Sequence, residues 1–307
     1  MKKLLLAASV ASIALSGNVF ADQAVSGMPE IESSKLVFLS PHPDDILLTF
    51  GGFIDNMKKA NAMKGKDSVT QVYFSLSNYT TNHLNELTDK RVTDVGNMRY
   101  KEDFGAHVSM FEGWQNFRYS PNGFYDAPLR HYEGSKTAGG GPAGSFADFR
   151  DSEIEAYNQI SEEMKAMLTQ EDCSAFALIA NGTHIDHFVT REAVLKAMYE
   201  LGDKATCDVY FGLDQPYTGS NPEMAMVEIN KLKERLPKGA ITSYTYKIDK
   251  DKKIADFKHH YLSQYDIGYI APLENSPTET LFKVDRSAFS KIKAHQECKQ
   301  DFCTLAE

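Results

Sequence analysis

The sequence has no cluster of basic residues, no CxxC pair and no second long apolar run after the one at its start. Each absence removes a class of function. Without a basic patch there is no electrostatic footprint for nucleic acid, and anionic membranes or strongly anionic polymers are disfavoured as partners. Without a CxxC pair, cysteine-rich zinc sites and thioredoxin-type chemistry have no support. Without a further apolar run of roughly 20 residues, nothing beyond the N-terminus reads as a membrane span.

The one apolar run is N-terminal. Met1-Lys2-Lys3 precedes an apolar stretch at 4–17, and Val19-Phe20-Ala21 follows as a small-x-small cleavage site. The pattern reads as a secretory signal, residues 1–21, too short to span a membrane. No cysteine follows the site, so no lipid anchor is expected there. The mature chain would start at Asp22 and be exported, with a bacterial periplasm favoured over free secretion. Loss of Lys2 and Lys3 takes the 33 basic residues to 31 against 42 acidic ones, so the net charge moves from −9 to −11. The remaining residues, about 285, suit a single domain over 22–307.

There are four cysteines, Cys173, Cys207, Cys298 and Cys303. In an exported chain an even number points to disulfides. Cys173 and Cys207 each immediately precede an apolar run, at 174–180 and 208–213. If those runs are neighbouring parallel strands, the two cysteines lie side by side at the strand starts. The expected pairs are Cys173–Cys207 and, by elimination, Cys298–Cys303; free buried thiols are the alternative.

Apolar periodicity predicts strands at 36–40, 69–76, 175–180, 209–213 and 243–248. It predicts helices at 46–60, 88–107, 149–168, 188–201, 222–236 and 253–265, with a short strand at 108–111 and a helical tail at 284–294. Residues 22–34 read as loose. The alternation implies an α/β fold: a Rossmann-like, doubly wound, mostly parallel sheet with helices on both faces. Periodicity fails from 113 to 148, a stretch rich in glycine and aromatics, expected to be a long loop on the substrate side. Its rings Trp114, Phe117, Tyr119, Phe124 and Tyr125 suit stacking on sugars or ordinary packing equally well. The glycine patch 139–144 has neither a preceding strand nor a following Gly-Lys-Ser/Thr, so it reads as a flexible loop.

Two polar clusters stand where strands end and helices begin. One is Pro41-His42-Pro43-Asp44-Asp45; the other is His184-Ile185-Asp186-His187. In an open α/β sheet both fall at the C-terminal strand edge, where ligands bind. Two histidines and one aspartate make a three-ligand catalytic zinc set, and a spare carboxylate can move protons. A leftover histidine can protonate a leaving amine or stabilise an oxyanion. The plainer alternatives are a helix N-cap for the first cluster and a polar loop for the second.

These motifs resemble those of the PIG-L/LmbE family of zinc-dependent N-acetylglucosaminyl deacetylases. The family's first motif is a small residue followed by His-Pro-Asp-Asp-Glu, and its second is His-x-Asp-His. Arg99-Tyr-Lys-Glu102 resembles an Arg-x-x-Glu element, and Tyr261-Leu-Ser-Gln264 a late Ser-Gln element. The resemblance implies one Zn2+ per chain held by His42, Asp45 and His187. It implies Asp44 as general base and His184 as electrophile or general acid, with Asp186 orienting and charging it. It makes Arg99 a candidate for holding substrate hydroxyls, against an ordinary ion pair with Glu102 or Asp103. The implied substrate is a small molecule or oligosaccharide bearing an N-acetyl group. A zinc amidase or esterase on another envelope substrate, or a non-catalytic sugar-binding protein, are the competing readings. One position departs from the family: Ile46 stands where a glutamate is usual.

Overall fold

The computed structural model describes residues 23–80, 83–84, 88–130, 151–182 and 184–293. The signal at 1–21, the glycine patch and the Cys298–Cys303 pair lie outside the described residues. Strand β1 is Gln23–Ser26 and β2 is Lys35–Ser40, the latter buried because Leu-Val-Phe-Leu is apolar on both faces. Helix α1, Asp45–Lys59, follows directly. Strand β3 is Asp67–Val72, and a small hairpin of β4 (Tyr79–Thr80) and β5 (His83–Leu84) comes next. Helix α2 is Asp89–Met110, followed by β6 at Asn116–Pro121. Helix α3 (Ile154–Leu168), strand β7 (Cys173–Leu178), helix α4 (Ile185–Leu201) and strand β8 (Asp208–Gly212) continue the alternation. The rest is α5 (Tyr217–Ser220), α6 (Pro222–Glu234), β9 (Ile241–Lys247), α7 (Lys250–His260), α8 (Ile267–Glu274) and β10 (Thr278–Val284).

Eight strands form one sheet in the order β1-β9-β10-β8-β7-β2-β3-β6. Strand β10 runs antiparallel to both neighbours, and every other pairing is parallel. The chain therefore builds outward from β2 through β3 to β6, then crosses back to β7 on the other side of β2. This reversal opens a crevice at the C-terminal ends of β2 and β7. One apolar core joins α3, α4 and α6 to one face of the sheet; the other joins α1, α2 and α7 to the opposite face. Phe38, Phe50 and Phe176 meet in the second core, with Phe38 and Phe176 stacked at 5.0 Å.

Cys173 and Cys207 form a disulfide with a Cα–Cα separation of 4.7 Å. They begin adjacent parallel strands, in the register Ser174 opposite Asp208.

Four local expectations need correction. Residues 23–26 are a strand, because the β1 backbone pairs in parallel with the edge of β9. Residues 108–110 belong to α2, not to a strand; Met110 completes the helix's apolar stripe after Val95 and Ala106. The stretch from 113 is not a continuous loop, since β6 pairs with β3 and a 3-10 turn spans Ala127–Arg130. At the tail, β10 ends at Val284 and a 3-10 turn, Arg286–Lys291, replaces the expected helix.

Candidate active site

Both polar clusters leave their strands through left-handed backbone. Asp44 has φ 122° and Ala180 has φ 59°, conformations that L-residues adopt only when surroundings enforce them. Asp44 occupies the N-cap position of α1, but its carboxylate makes no capping hydrogen bond. Capping therefore does not explain the two acids. Asp45 Oδ2 instead accepts the His42 amide at 2.7 Å, folding the motif back on itself.

His42, Asp45, His184 and His187 are all buried at the crevice. His42 Nδ1 lies 3.2 Å from His187 Nε2 and 3.4 Å from Asp45 Oδ2, and His187 Nε2 lies 3.5 Å from Asp45 Oδ2. The three atoms form a nearly equilateral triangle. Ligands placed tetrahedrally about 2.0–2.2 Å from one ion stand about 3.3–3.6 Å apart, so this triangle fits a single divalent ion. A wider grouping also has its donor atoms within 4.8 Å of one another: His42, Asp126, His184 and Asp186. Its separations include 3.9 Å between His184 Nε2 and Asp126 Oδ1, a looser fit than the triangle.

The outer ring supports the tighter set. His42 presents its other nitrogen, Nε2, to Asp186 Oδ2 at 2.9 Å, and His187 presents Nδ1 to Asp214 Oδ2 at 2.8 Å. In metal sites a carboxylate behind a ligating imidazole fixes its tautomer and ring orientation in this way. Asp186 also accepts the Ala127 amide at 3.1 Å and pairs with Arg130, which is itself tied to Glu153 at 2.9 Å. Asp214 accepts the Ala180 amide at 3.0 Å, so the same acid pins the second left-handed turn.

The charges follow from these contacts. Burial would raise the Asp45 carboxyl, but His187 and His42 outweigh it and hold the group below its usual range. Asp186 is likewise lowered: Arg130 and His42 overcome the effect of burial. His42 is raised well above an ordinary imidazole, because Asp126, Asp186 and Asp45 overcome its desolvation. His184 goes the other way. Burial, then the neighbouring His42 and His187, depress it well below the usual value and keep it neutral. Its Nδ1 accepts the Asp186 amide at 3.3 Å, which leaves the proton on Nε2.

Asp44 is distinct from Asp45. Burial pushes its carboxyl up to about 8, with Arg99 opposing and Asp45 reinforcing the shift. Arg99 is buried, not a surface partner of Glu102. It donates to Pro43 O at 3.0 Å and stands 3.5 Å from both Asp44 Oδ2 and Asp126 Oδ2. Asp186, expected beside His184, sits closer to the His42 ring; its Oδ2 is 3.9 Å from His184 Nδ1.

Sequence reasoning missed Asp126, Asp214 and Arg130. Asp214 carried a usable signal, an acid just beyond the apolar run that forms β8, as in the first motif. Asp126 and Arg130 had none, since they lie in the aromatic stretch without periodicity. Asp126 Oδ1 accepts no hydrogen bond among the described residues and faces His42 Nε2 at 3.5 Å. Its other oxygen accepts from Ser77 at 2.7 Å.

The family model PIG-L, described as GlcNAc-PI de-N-acetylase, matches residues 37–198, more than half of the chain's 307 residues. The chain belongs to the PIG-L family. The matched segment holds the whole triangle and His184, Asp186, Asp126 and Arg99. Among solved structures, the zinc-inhibited form of teicoplanin deacetylase Orf2 aligns with a TM-score of 0.54 at 17% identity, covering 81% of this chain and 97% of that one. The A40926 pseudoaglycone deacetylase Dbv21 aligns at 0.55 and 18% identity, covering 84% and 99%. At such identities these likenesses show the fold. No curated protein sequence matches the chain. Against the PIG-L pattern, Ile46 is fully buried in the apolar core beneath α1, so the position of the usual glutamate is filled by packing.

Proposed function

We propose that this protein is an exported zinc-dependent N-deacetylase that removes the acetyl group from an N-acetylglucosamine-type amino sugar or a glycoconjugate carrying one. The observation that carries the reading is the triangle of His42 Nδ1, His187 Nε2 and Asp45 Oδ2, backed by Asp186 and Asp214. An N-terminal signal pattern and the Cys173–Cys207 disulfide support export.

His42, Asp45 and His187 would hold the ion. Zinc, when bound, supplies Lewis acidity at the amide carbonyl and makes water a competent nucleophile near neutral pH. Asp44 takes the proton of the attacking water; burial favours its protonated form, and Arg99, together with a bound cation, would favour the ionised form that accepts the proton. Arg99 holds that carboxyl in place through Pro43 O and Asp44 itself. His184, neutral with its proton on Nε2, donates to the oxygen that gains charge as water adds to the carbonyl carbon. The C–N bond then breaks, the proton held by Asp44 passes to the nitrogen, and acetate and a free amine leave.

Ile46 favours a second reading, a zinc amidase or esterase of this fold acting on another envelope substrate. A panel of N-acetylated mono- and oligosaccharides, assayed for acetate with chelator and with added zinc, separates the two. Zinc-dependent acetate release supports the deacetylase; release of another acid only, or of none, overturns it.

A further inference from the structure

The mechanism above draws one hydrogen-bond donor from the chain, His184, for the oxygen that gains charge. A second O–H group stands beside the same triangle without a task. Tyr217 opens the short helix α5, three residues beyond Asp214. Its ring meets the His187 imidazole edge to face, with centroids 5.6 Å apart and planes at 81°. The ring also lies against Gly182, two residues before His184. A Cβ at Gly182 would come within 2.8 Å of ring atoms Cγ and Cδ2, closer than packed carbons approach. Only glycine there leaves the ring its place.

The turn that carries Tyr217 is fixed from two sides. Asn181 accepts the Asp214 amide at 2.7 Å and donates to Thr218 Oγ1 at 3.1 Å. The Thr218 amide and hydroxyl both donate to Asp214 O, at 3.0 and 2.8 Å. The turn after β7 and the turn after β8 are therefore one hydrogen-bonded unit. On the far side, Gly219 faces α8 so closely that a Cβ would lie 2.4 Å from Pro272 O. A donor held this way needs no reorganisation when charge develops, which is what makes such donors effective.

The hydroxyl faces the acids of the site. Burial, then the charges of Asp45, Asp44, Asp214 and Asp126, hold the phenol above its usual range, so all four carboxylates lie within electrostatic reach of it. An unperturbed phenol is already protonated at neutral pH, so the group is an O–H donor with or without that shift. Other tyrosines of this fold donate to carboxylates: Tyr119 and Tyr261 to Asp103 at 2.6 Å each, and Tyr246 to Glu279 at 3.1 Å. Tyr217 is half-buried, and among the described residues its hydroxyl makes no hydrogen bond. Tyrosine hydroxyls in such surroundings ordinarily find a partner.

We propose that Tyr217 is a further catalytic residue, whose hydroxyl donates a hydrogen bond to the oxyanion of the tetrahedral intermediate alongside His184. The proton stays on the phenol throughout. No bond of Tyr217 forms or breaks, and the transfer of the water proton through Asp44 to the leaving nitrogen is unchanged. The assignment rests on the hydrolase reading of the site, whichever acyl group is removed.

Tyr217→Phe keeps the ring against Gly182 and His187 and removes only the donor. With zinc-loaded protein and N,N′-diacetylchitobiose, kcat should fall about 10²-fold, the scale of one lost oxyanion donor. KM should change less than about twofold, since the contact is made only as the carbonyl becomes tetrahedral. Zinc affinity, read by chelator competition, and the melting temperature should match the wild type. A binding measurement needs no turnover. A methylphosphonamidate of glucosamine, tetrahedral at phosphorus with a charged oxygen, should bind Tyr217→Phe at least about tenfold more weakly than wild type. N-acetylglucosamine, planar at its carbonyl, should bind both alike. Unchanged kcat, a loss confined to KM or zinc affinity, or unchanged phosphonamidate binding would each overturn the assignment. Failure of the wild type to release acetate removes the deacetylase reading alone, and phosphonamidate binding then decides for or against Tyr217.

Discussion

His187 turns its Nδ1 to Asp214 at 2.8 Å, and the other oxygen of the same carboxylate accepts the Ala180 amide at 3.0 Å. One acid thus orients a ring of the proposed metal triangle and fixes the strained turn that leads to it. Asp214→Asn should lower zinc affinity about 10–100-fold while the protein still folds. Competition with a chromophoric chelator reads the affinity. Unchanged zinc affinity would mean that Asp214 serves the turn alone.

Asp44 and Asp45 are neighbours with different proposed tasks, and substitution should separate them. Asp44→Asn should lower kcat about 10²–10⁴-fold, as loss of a proton-transfer group does, with zinc content intact. Asp45→Asn should lose zinc as well as activity. Zinc analysis of both variants after gel filtration checks the division of labour. Retention of zinc by Asp45→Asn would contradict it.

Tyr261 donates to buried Asp103 at 2.6 Å, and burial followed by the charge of Asp103 raises the phenol well above its usual range. A raised folded-state value means that this contribution is complete below the unfolded value of about 10 and is lost as pH rises beyond it. Folding stability should therefore fall by up to about 1.4 kcal/mol per pH unit above pH 10 through this group alone. Tyr261→Phe should flatten the decline between about pH 10 and 11. Urea unfolding at stepped pH measures both slopes, and equal slopes would show that the phenol does not hold its proton in the fold.

The Cys173–Cys207 bridge closes a 34-residue separation. The chain-entropy estimate for such a loop is about 3–4 kcal/mol. The Cys173→Ala, Cys207→Ala double variant should lose about that much in denaturant unfolding, with acetate release at 25 °C retained. A loss under about 1 kcal/mol would show that the strands hold together without it.

The sequence made the site's two halves legible because each sits where an apolar run meets a helical pattern, a signal local to about ten residues. The Cys173–Cys207 pairing was legible for a related reason: both cysteines mark strand starts in a parallel sheet. What stayed hidden depends on distant partners. Strand β1 and strand β6 are edge strands whose side chains are exposed or half-buried, so pairing with β9 and β3, not periodicity, defines them. Arg130 and Asp126 act only because the chain after β6 returns to His42 and Asp186. Likewise, Glu102 and Ser263 lay in two unrelated fragments. In the fold they join through hydrogen bonds of 2.8 and 2.6 Å, tying α2 to the turn after α7.

The central claim is that one zinc ion, held by His42, Asp45 and His187, makes this fold a deacetylase. Titrating zinc into chelator-stripped protein while recording acetate release from an N-acetylated disaccharide tests it most directly. Acetate release should rise linearly and level off at one zinc per chain. Full activity in the stripped protein, or no gain on reaching one equivalent, would contradict it.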